Sequence, residues 1–394
     1  MTAYLNALGL NCALGMNVSQ VAEGLFAGDR SGLRRQTGWL PDGDVLVAPV
    51  TGELAPLPAA LAHHESRNNR LLLQAARQIE PQLRDAVVRY GAHRVAVVLG
   101  TSTSGIGETA QGFDTYLREG QLGSDYDYAQ QILEAPAVCL TEWLGSSGPS
   151  YVISTACTSS GRALMSARRL LAMGACDAVV CGGVDSLCGL TLNGFTALTA
   201  VSGQPCNPFS RNRDGINIGE GAALFLMTRE APASGKAIAL LGAGASSDAH
   251  HISAPDPSGR GALDAMRQAL TQAGLEPPQI GYLNLHGTAT LHNDAMESLA
   301  VATLFPAGVP CSSSKSMTGH TLGAAAALEA AFCWLSLQQG RVPPHVWDNE
   351  PDPQLPALTW AGPDTRLAPG SRLMSNSFAF GGNNVSLILG ALDV

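Results

Sequence analysis

The chain has 394 residues, 45% of them hydrophobic and 14% charged, with a net charge of −9. That length holds two or three domain-sized units, and the acidic balance excludes general nucleic-acid binding. No apolar run reaches the ~18–20 residues needed to cross a bilayer, since Leu164–Val180, the nearest, is broken by Arg168, Arg169 and Asp177.

In chain order, Leu71–Ile79 has helical spacing, and Val95–Leu99 is a buried-strand run ending at Gly100. Tyr151–Ile153 reads as a strand that enters Ser154-Thr155-Ala156-Cys157, and a helix is expected from Arg162 to Met173. Ala178–Cys181 and Ala222–Met227 are further apolar strands. Glu230–Lys236 breaks the pattern and reads as a connector between a 1–230 half and a 231–394 half. Gly242-Ala243-Gly244 lacks the phosphate-cradling lysine motif and is expected to be a turn. Leu263–Ala273 is helical in spacing, and a strand around Tyr282–Leu285 ends at His286. Cys311–Ser314 leads through Lys315 to His320, then to an alanine-rich, almost uncharged helix over Leu322–Trp334. Val342–Pro369 is proline-rich and expected to be a surface loop. The alternation of strands and helices predicts an α/β fold with largely buried sheets. Two small-residue helices, one per half, predict a duplicated architecture with the site between them.

Met1–Leu10 lacks the basic-then-apolar pattern of a secretory signal, so a cytoplasmic location is expected. The nine cysteines have no C-x-x-C pair and read as reduced thiols. Cys176, Cys181 and Cys188 have no interleaved histidine, so no metal is expected. Cys157 sits at a sharp strand-to-helix turn among small residues. There a helix N-terminus favours the thiolate and leaves it open as a covalent nucleophile. His286 and His320 each lie at an element end. Two imidazoles that donate hydrogen bonds to one oxygen stabilise an enolate, as formed when a malonyl thioester loses CO₂.

The blocks Ser154–Ser160, Asn207-Pro208-Phe209, Arg213-Asp214-Gly215, Gly219–Ala222, His286–Thr290, Lys315–Ala325 and Asn376–Gly382 stand in one order along the chain. In them the sequence resembles the elongating β-ketoacyl-acyl carrier protein synthases of the thiolase-fold superfamily. The resemblance implies duplicated α/β halves in a five-layer αβαβα arrangement. It also implies decarboxylative Claisen condensation of an acyl thioester with malonyl-acyl carrier protein, in fatty-acid or related polyketide or polyene synthesis. Cys157 would accept the acyl group, His286 and His320 would bind the thioester carbonyl and support decarboxylation, and Lys315 would organise His320 and the adjoining network. Phe380 would gate the cysteine, and the N–H groups of Cys157 and Phe380 would form the acyl oxyanion hole. Thr288 and Thr290 would hold the pantetheine arm, Phe195 would line the acyl pocket, and Asp248–Pro255, with Ser253, would be a mobile loop at the entrance. Glu329, Asp294 and Glu297 would be structural. Phosphopantetheine would arrive on the carrier, with no further cofactor and no metal. The partners implied are an acidic carrier protein, docking on Arg67, Arg70 and Arg211, and a second subunit in a homodimer or a heterodimer.

Several positions depart from the family pattern. Ala379 stands where glycine is usual, which is expected to alter gate motion. Asn383, Ser210, Asn217 and Leu291-His292-Asn293 are also unusual and point to a specialised substrate. The alternatives are one subunit of a ketosynthase and chain-length-factor pair and, further off, a CoA-dependent thiolase with a second catalytic cysteine.

Overall fold

The structure is a computed structural model that describes residues 1–41, 43–123 and 126–393. The first half contributes strands β1 (Tyr4–Asn11), β2 (Val95–Gly100), β3 (Ser150–Ile153), β4 (Ala178–Asp185) and β5 (Gly221–Thr228). The second contributes β6 (Ala237–Ser247), β7 (Ile280–Asn284), β8 (Pro310–Ser312), β9 (Arg372–Ala379) and β10 (Asn383–Leu392). The spatial order is β3-β2-β4-β5-β1 in one half and β8-β7-β9-β10-β6 in the other, the same topology twice. In each half the first three strands run parallel and the next pairs are antiparallel. The halves meet where Tyr4 pairs with Ala239, and a short strand, Thr359–Trp360, extends the outer edge beside β8.

The helices that matter for the site are α1 (Arg67–Gln78), α2 (Ile106–Glu119), α3 (Ala135–Leu144), α4 (Ser159–Ala172), α5 (Gly189–Ala197), α6 (Arg260–Ala273), α7 (Leu291–Leu304) and α8 (Ala325–Gln339). Side-chain alternation along the strands sorts them into layers. Val95, Val97 and Leu99 of β2 pack with Leu71, Leu72 and Leu140 of α1 and α3. Ala96 and Val98 face the other way, into a core shared by α4, α8 and the inner side of β9 and β10. On the far side Met266, Ala269, Met296 and Val301 of α6 and α7 cover Leu283, Met374 and Ile388. The order is helix, sheet, helix, sheet, helix. The central α8 is buried nearly all round, which is why its sequence is alanine-rich and almost free of charge. Among the described residues no helix is long and apolar enough to cross a membrane.

Two expectations need correction. Gly242-Ala243-Gly244 is not a turn but lies inside β6. A Cβ at Gly242 would stand 2.2 Å from the Ala269 carbonyl oxygen, and one at Gly244 would stand 2.0 Å from that of Ala265. These glycines let α6 lie directly on the strand. The proline-rich Val342–Pro369 segment is more than a surface loop, because His345 is buried and stacks on Trp360 with ring centroids 4.2 Å apart. Gly244→Ala is expected to destabilise the fold by about 1–3 kcal/mol through overpacking alone. A turn residue of ordinary φ would tolerate the change. The midpoint of chemical denaturation checks this.

Candidate active site

The position of Cys157 is set by a local backbone inversion. After β3 the chain reaches Ala156 with φ at 54°, the left-handed region that costs a non-glycine residue energy. Ser159 Oγ accepts from the Thr155 N–H at 2.9 Å, and Thr158 Oγ1 donates to the Thr155 carbonyl at 2.7 Å, which hold the bend. Cys157 therefore turns back over the start of α4 and is buried at 6% exposure.

His286 follows β7. The Glu297 carboxylate of α7 accepts the N–H groups of His286 and Gly287, both at 2.8 Å. Asp294 accepts from Phe209 N at 2.7 Å and from Ala289 N at 3.2 Å. Burial lifts Glu297 to about 8 and Asp294 to about 7. Neither side chain lines the cavity at Cys157, so both shape the loop that carries His286.

His320 does not open a helix, as its sequence position suggested. It lies in extended chain paired with Ile218. Its N–H donates to the Asn217 carbonyl at 2.7 Å, and its carbonyl accepts from Gly219 N at 3.0 Å. The unusual Asn217 is explained here: its side chain accepts from Cys206 N at 2.8 Å and donates to the Ser202 and Gln204 carbonyls. Sequence reasoning flagged Asn217 as odd without seeing that it anchors His320. It missed Asp185 altogether, a buried carboxylate that accepts from Thr101, Ser102, Thr103 and the Gly323 N–H ahead of α8.

Lys315 is buried beneath the pair. Its ammonium donates to Glu329 and to the His286 carbonyl and lies 3.4 Å from His286 Nδ1. Of the expectation that Lys315 organises His320 and the adjoining network, the His320 part is corrected, because its contacts are to the other histidine and to Glu329. An ammonium has only donors, so His286 Nδ1 must accept and its proton sits on Nε2. Burial, then Lys315 and His320, hold His286 well below the usual imidazole range, and burial with Lys315 does the same to His320. Both rings are neutral. Burial also raises Glu329 to about 7, against the opposing pull of Lys315.

His320 Nε2 lies 3.0 Å from Cys157 Sγ, and the two imidazole centroids are 5.4 Å apart with planes at 84°. His320 Nδ1 is buried with no hydrogen-bond partner among the described residues. An orphaned acceptor is tolerated better than an orphaned N–H, which places this proton too on Nε2, directed at the sulfur. Burial pushes the Cys157 thiol up to about 12, only partly offset by Lys315. The expected helix-stabilised resting thiolate is therefore corrected: desolvation outweighs the helix N-terminus, and the resting group is a thiol. The sulfur and one nitrogen of each ring lie within 4.8 Å of one another, close enough for a thiophilic ion, but binding one would require deprotonating that thiol.

Cys157, His286, His320, Thr288, Thr290, Phe195, Phe378, Phe380 and Asn293 line one small cavity of about 20 Å³. Thr290, Asn293, Phe378 and Phe380 also line a vestibule of about 430 Å³ that takes in Ser253 and His251. Phe195 and Phe380 rings meet at 5.4 Å. The chain after Phe380 is tied to the Asp248–Pro255 loop, since Gly381 N donates to the Ile252 carbonyl at 2.8 Å and Asp248 N to the Gly382 carbonyl at 2.9 Å. Ala379 is extended (φ −103°) and unstrained, while Gly381 and Gly382 supply the positive φ values. In this state the alanine costs nothing.

The arginines read as docking charges are all paired. Arg67 binds the fully buried Glu220, which also accepts from Val50 N and Leu187 N. Arg70 pairs with Glu65, and Arg211 with Glu350 at 2.6 Å. Arg67 is thus a structural clamp first.

The sequence matches the family description "Beta-ketoacyl synthase, N-terminal domain" over residues 59–233 and "Beta-ketoacyl synthase, C-terminal domain" over 238–347. It is 34% identical to nodulation protein E of Rhizobium meliloti over 75% of both chains. It is 29% identical to 3-oxoacyl-[acyl-carrier-protein] synthase 2 of Coxiella burnetii over 98% of this chain and 97% of that one. Among solved structures, the ketosynthase ApeO of Xenorhabdus doucetiae, in complex with its chain length factor ApeC, is similar with a TM-score of 0.94 and 46% identity, covering 99% of this chain and 98% of that one. The thiolase-like fold is shared.

Two outcomes test this geometry. Lys315→Met strands the Glu329 carboxylate and costs about 3–5 kcal/mol, while Lys315→Met with Glu329→Leu recovers most of it, as read by denaturant unfolding. Because thiolate grows as pH climbs toward a high pKa, alkylation of Cys157 by iodoacetamide rises about tenfold per unit from roughly pH 7 to 9 without a plateau. Peptide mass spectrometry follows that rate.

Proposed function

Because the chain belongs to the β-ketoacyl synthase family and is a condensing acyltransferase, we propose that it is the nucleophile-bearing subunit of a heterodimeric ketosynthase. The single observation that carries the chemistry is the cluster of Cys157 with two buried histidines lining one cavity, His320 Nε2 lying 3.0 Å from the sulfur. An acyl group on a carrier's phosphopantetheine enters through the vestibule. The Cys157 thiol attacks the thioester carbonyl carbon, and its proton passes to the departing pantetheine sulfur. The C–S bond to pantetheine breaks, and the carrier thiol leaves protonated. The N–H groups of Cys157 and Phe380 hold the acyl oxyanion.

A malonyl carrier then takes the same path, with Thr288 and Thr290 along its arm. His286 and His320 donate to its thioester oxygen. The bond to the carboxyl carbon breaks, CO₂ leaves, and the electron pair remains as the enolate that both imidazoles stabilise. The enolate carbon attacks the Cys157 thioester, a C–C bond forms, and the cysteine sulfur is released to recover a proton. Neutral histidines suit this sequence, because they donate hydrogen bonds without needing to gain or lose charge. No metal or redox cofactor enters the scheme. A thiolase needs a second cysteine at the reacting atoms, and Cys157 is the one cysteine lining this cavity among the described residues.

The heterodimer is supported by ApeO, solved with its chain length factor. This chain also presents features that suit a partner. β3 is the outermost strand of its sheet, and beside it lies a cleft of about 530 Å³ lined by Tyr128, Ile132, Leu133 and Val152. Tyr128 is 65% exposed. Open sheet edges and apolar surface are what proteins cover in assemblies. The 20 Å³ beside Cys157 cannot hold an acyl chain unless Phe195 and Phe380 move. The unusual Leu291-His292-Asn293 at the vestibule favours a polyketide or polyene substrate over ordinary fatty acids. Carrier docking near Arg70 and Arg211 and a cytoplasmic setting complete the reading.

Intact-protein mass spectrometry with acyl carriers is expected to show an adduct on the wild type, alone or with its chain length factor, and none on Cys157→Ala. His286→Ala should keep that adduct while losing CO₂ release from malonyl carrier by about 10²–10³-fold. Loss of both steps together would contradict the division of labour.

A further inference from the structure

Asn293 is the group in the reacting cavity with no assigned work. It is 8% exposed, and its Nδ2 is buried without a hydrogen-bond partner among the described residues. Buried amide donors without partners are rare and costly. Asn293 lines both the cavity around Cys157 and the vestibule that leads to it. It stands in the first turn of α7, a helix of 14 residues whose N-terminus opens at the same place. First-turn N–H groups have no intrahelical acceptor, and their dipole favours an anion.

We propose that Asn293 and the N-terminus of α7 receive the carboxylate of the malonyl extender, resting on the condensing reading above. The other groups around the cavity leave this task to them. The two imidazole Nε2–H donors are committed to the thioester oxygen. Thr288 and Thr290 hydroxyls lie 2.9 Å apart and bond each other. Phe195, Ala200, Ile216, Phe378 and Phe380 offer no polar side chain. Lys315 is occupied beneath His286, and Arg213, which donates to the Leu291 carbonyl, is paired with Asp352.

A neutral anchor also suits the chemistry. Negative charge leaves the carboxylate as the C–C bond breaks, so a strong cation there would stabilise the ground state more than the transition state. An amide and a helix end can orient the carboxyl group while giving it up as CO₂. The electron pair then passes into the enolate held by His286 and His320.

The test separates the two half-reactions on the enzyme with whatever subunit it requires. Asn293→Leu removes the donor at similar volume, and Asn293→Asp opposes the carboxylate with like charge. The expected result is a KM for malonyl carrier raised about tenfold in Asn293→Leu and further in Asn293→Asp, with acylation of Cys157 within about twofold of wild type. Binding of a non-reactive malonyl amide of pantetheine to Cys157→Ala protein should be tighter than that of the acetyl amide, and the difference should vanish when Asn293→Leu is added. That binding readout needs no turnover, and Asn293→Gln, which keeps the amide, should restore part of it. Equal losses in acylation and in malonyl KM would overturn the proposal, because they would place Asn293 on the shared pantetheine arm. Unchanged malonyl preference would overturn it too. A wild type that is never acylated at Cys157 would instead refute the condensing reading.

Discussion

One buried ammonium governs the site. Lys315 is held between the Glu329 carboxylate of α8 and the carbonyl of His286, with the His286 ring nitrogen beside it. A buried ion pair is weak evidence for stability, since desolvation consumes most of the attraction. Its value here is orientation. It forbids a proton on His286 Nδ1, forces the other tautomer, and adds its charge to the burial that keeps the ring neutral. Without it His286 would have no reason to carry its proton on the same nitrogen as His320.

The duplicated fold makes this arrangement possible. Each half ends a strand near the centre and follows it with a small-residue helix, and α4 and α8 pack on each other in the shared core. Cys157 arrives from the first half, and His286, Lys315, His320 and Glu329 from the second. The contact is close because the side chains are small: a Cβ at Gly161 of α4 would stand 3.1 Å from Ala326 of α8. Close packing excludes water and makes every charge expensive. That one cause raises the Cys157 thiol, depresses both histidines and lifts Glu297, Asp294 and Glu329.

Much of this was legible in the sequence. Runs such as Val95–Leu99 and the uncharged helix after His320 announced buried elements, and the ordered blocks around Cys157, His286 and Lys315 marked one site. What was not legible depends on contacts between distant segments. Gly242 and Gly244 read as a turn because glycine is ambiguous between a bend and a close approach, and only the packing of α6 decides. The partner of Lys315 could not be read from its nearness in sequence to His320, since the turn at Gly319 separates the two and the ammonium reaches His286 instead. The thiolate expectation weighed the helix N-terminus without the burial that opposes it. Arg67 looked like a free surface charge because Glu220 is far away in sequence.

The most direct test is the protonation state of His286, read by nitrogen-15 NMR of selectively labelled protein across roughly pH 6–8. The account predicts a neutral ring with its proton on Nε2 throughout that range, and a loss of that preference in Lys315→Met. A proton on Nδ1, or a cationic ring at neutral pH, would contradict it.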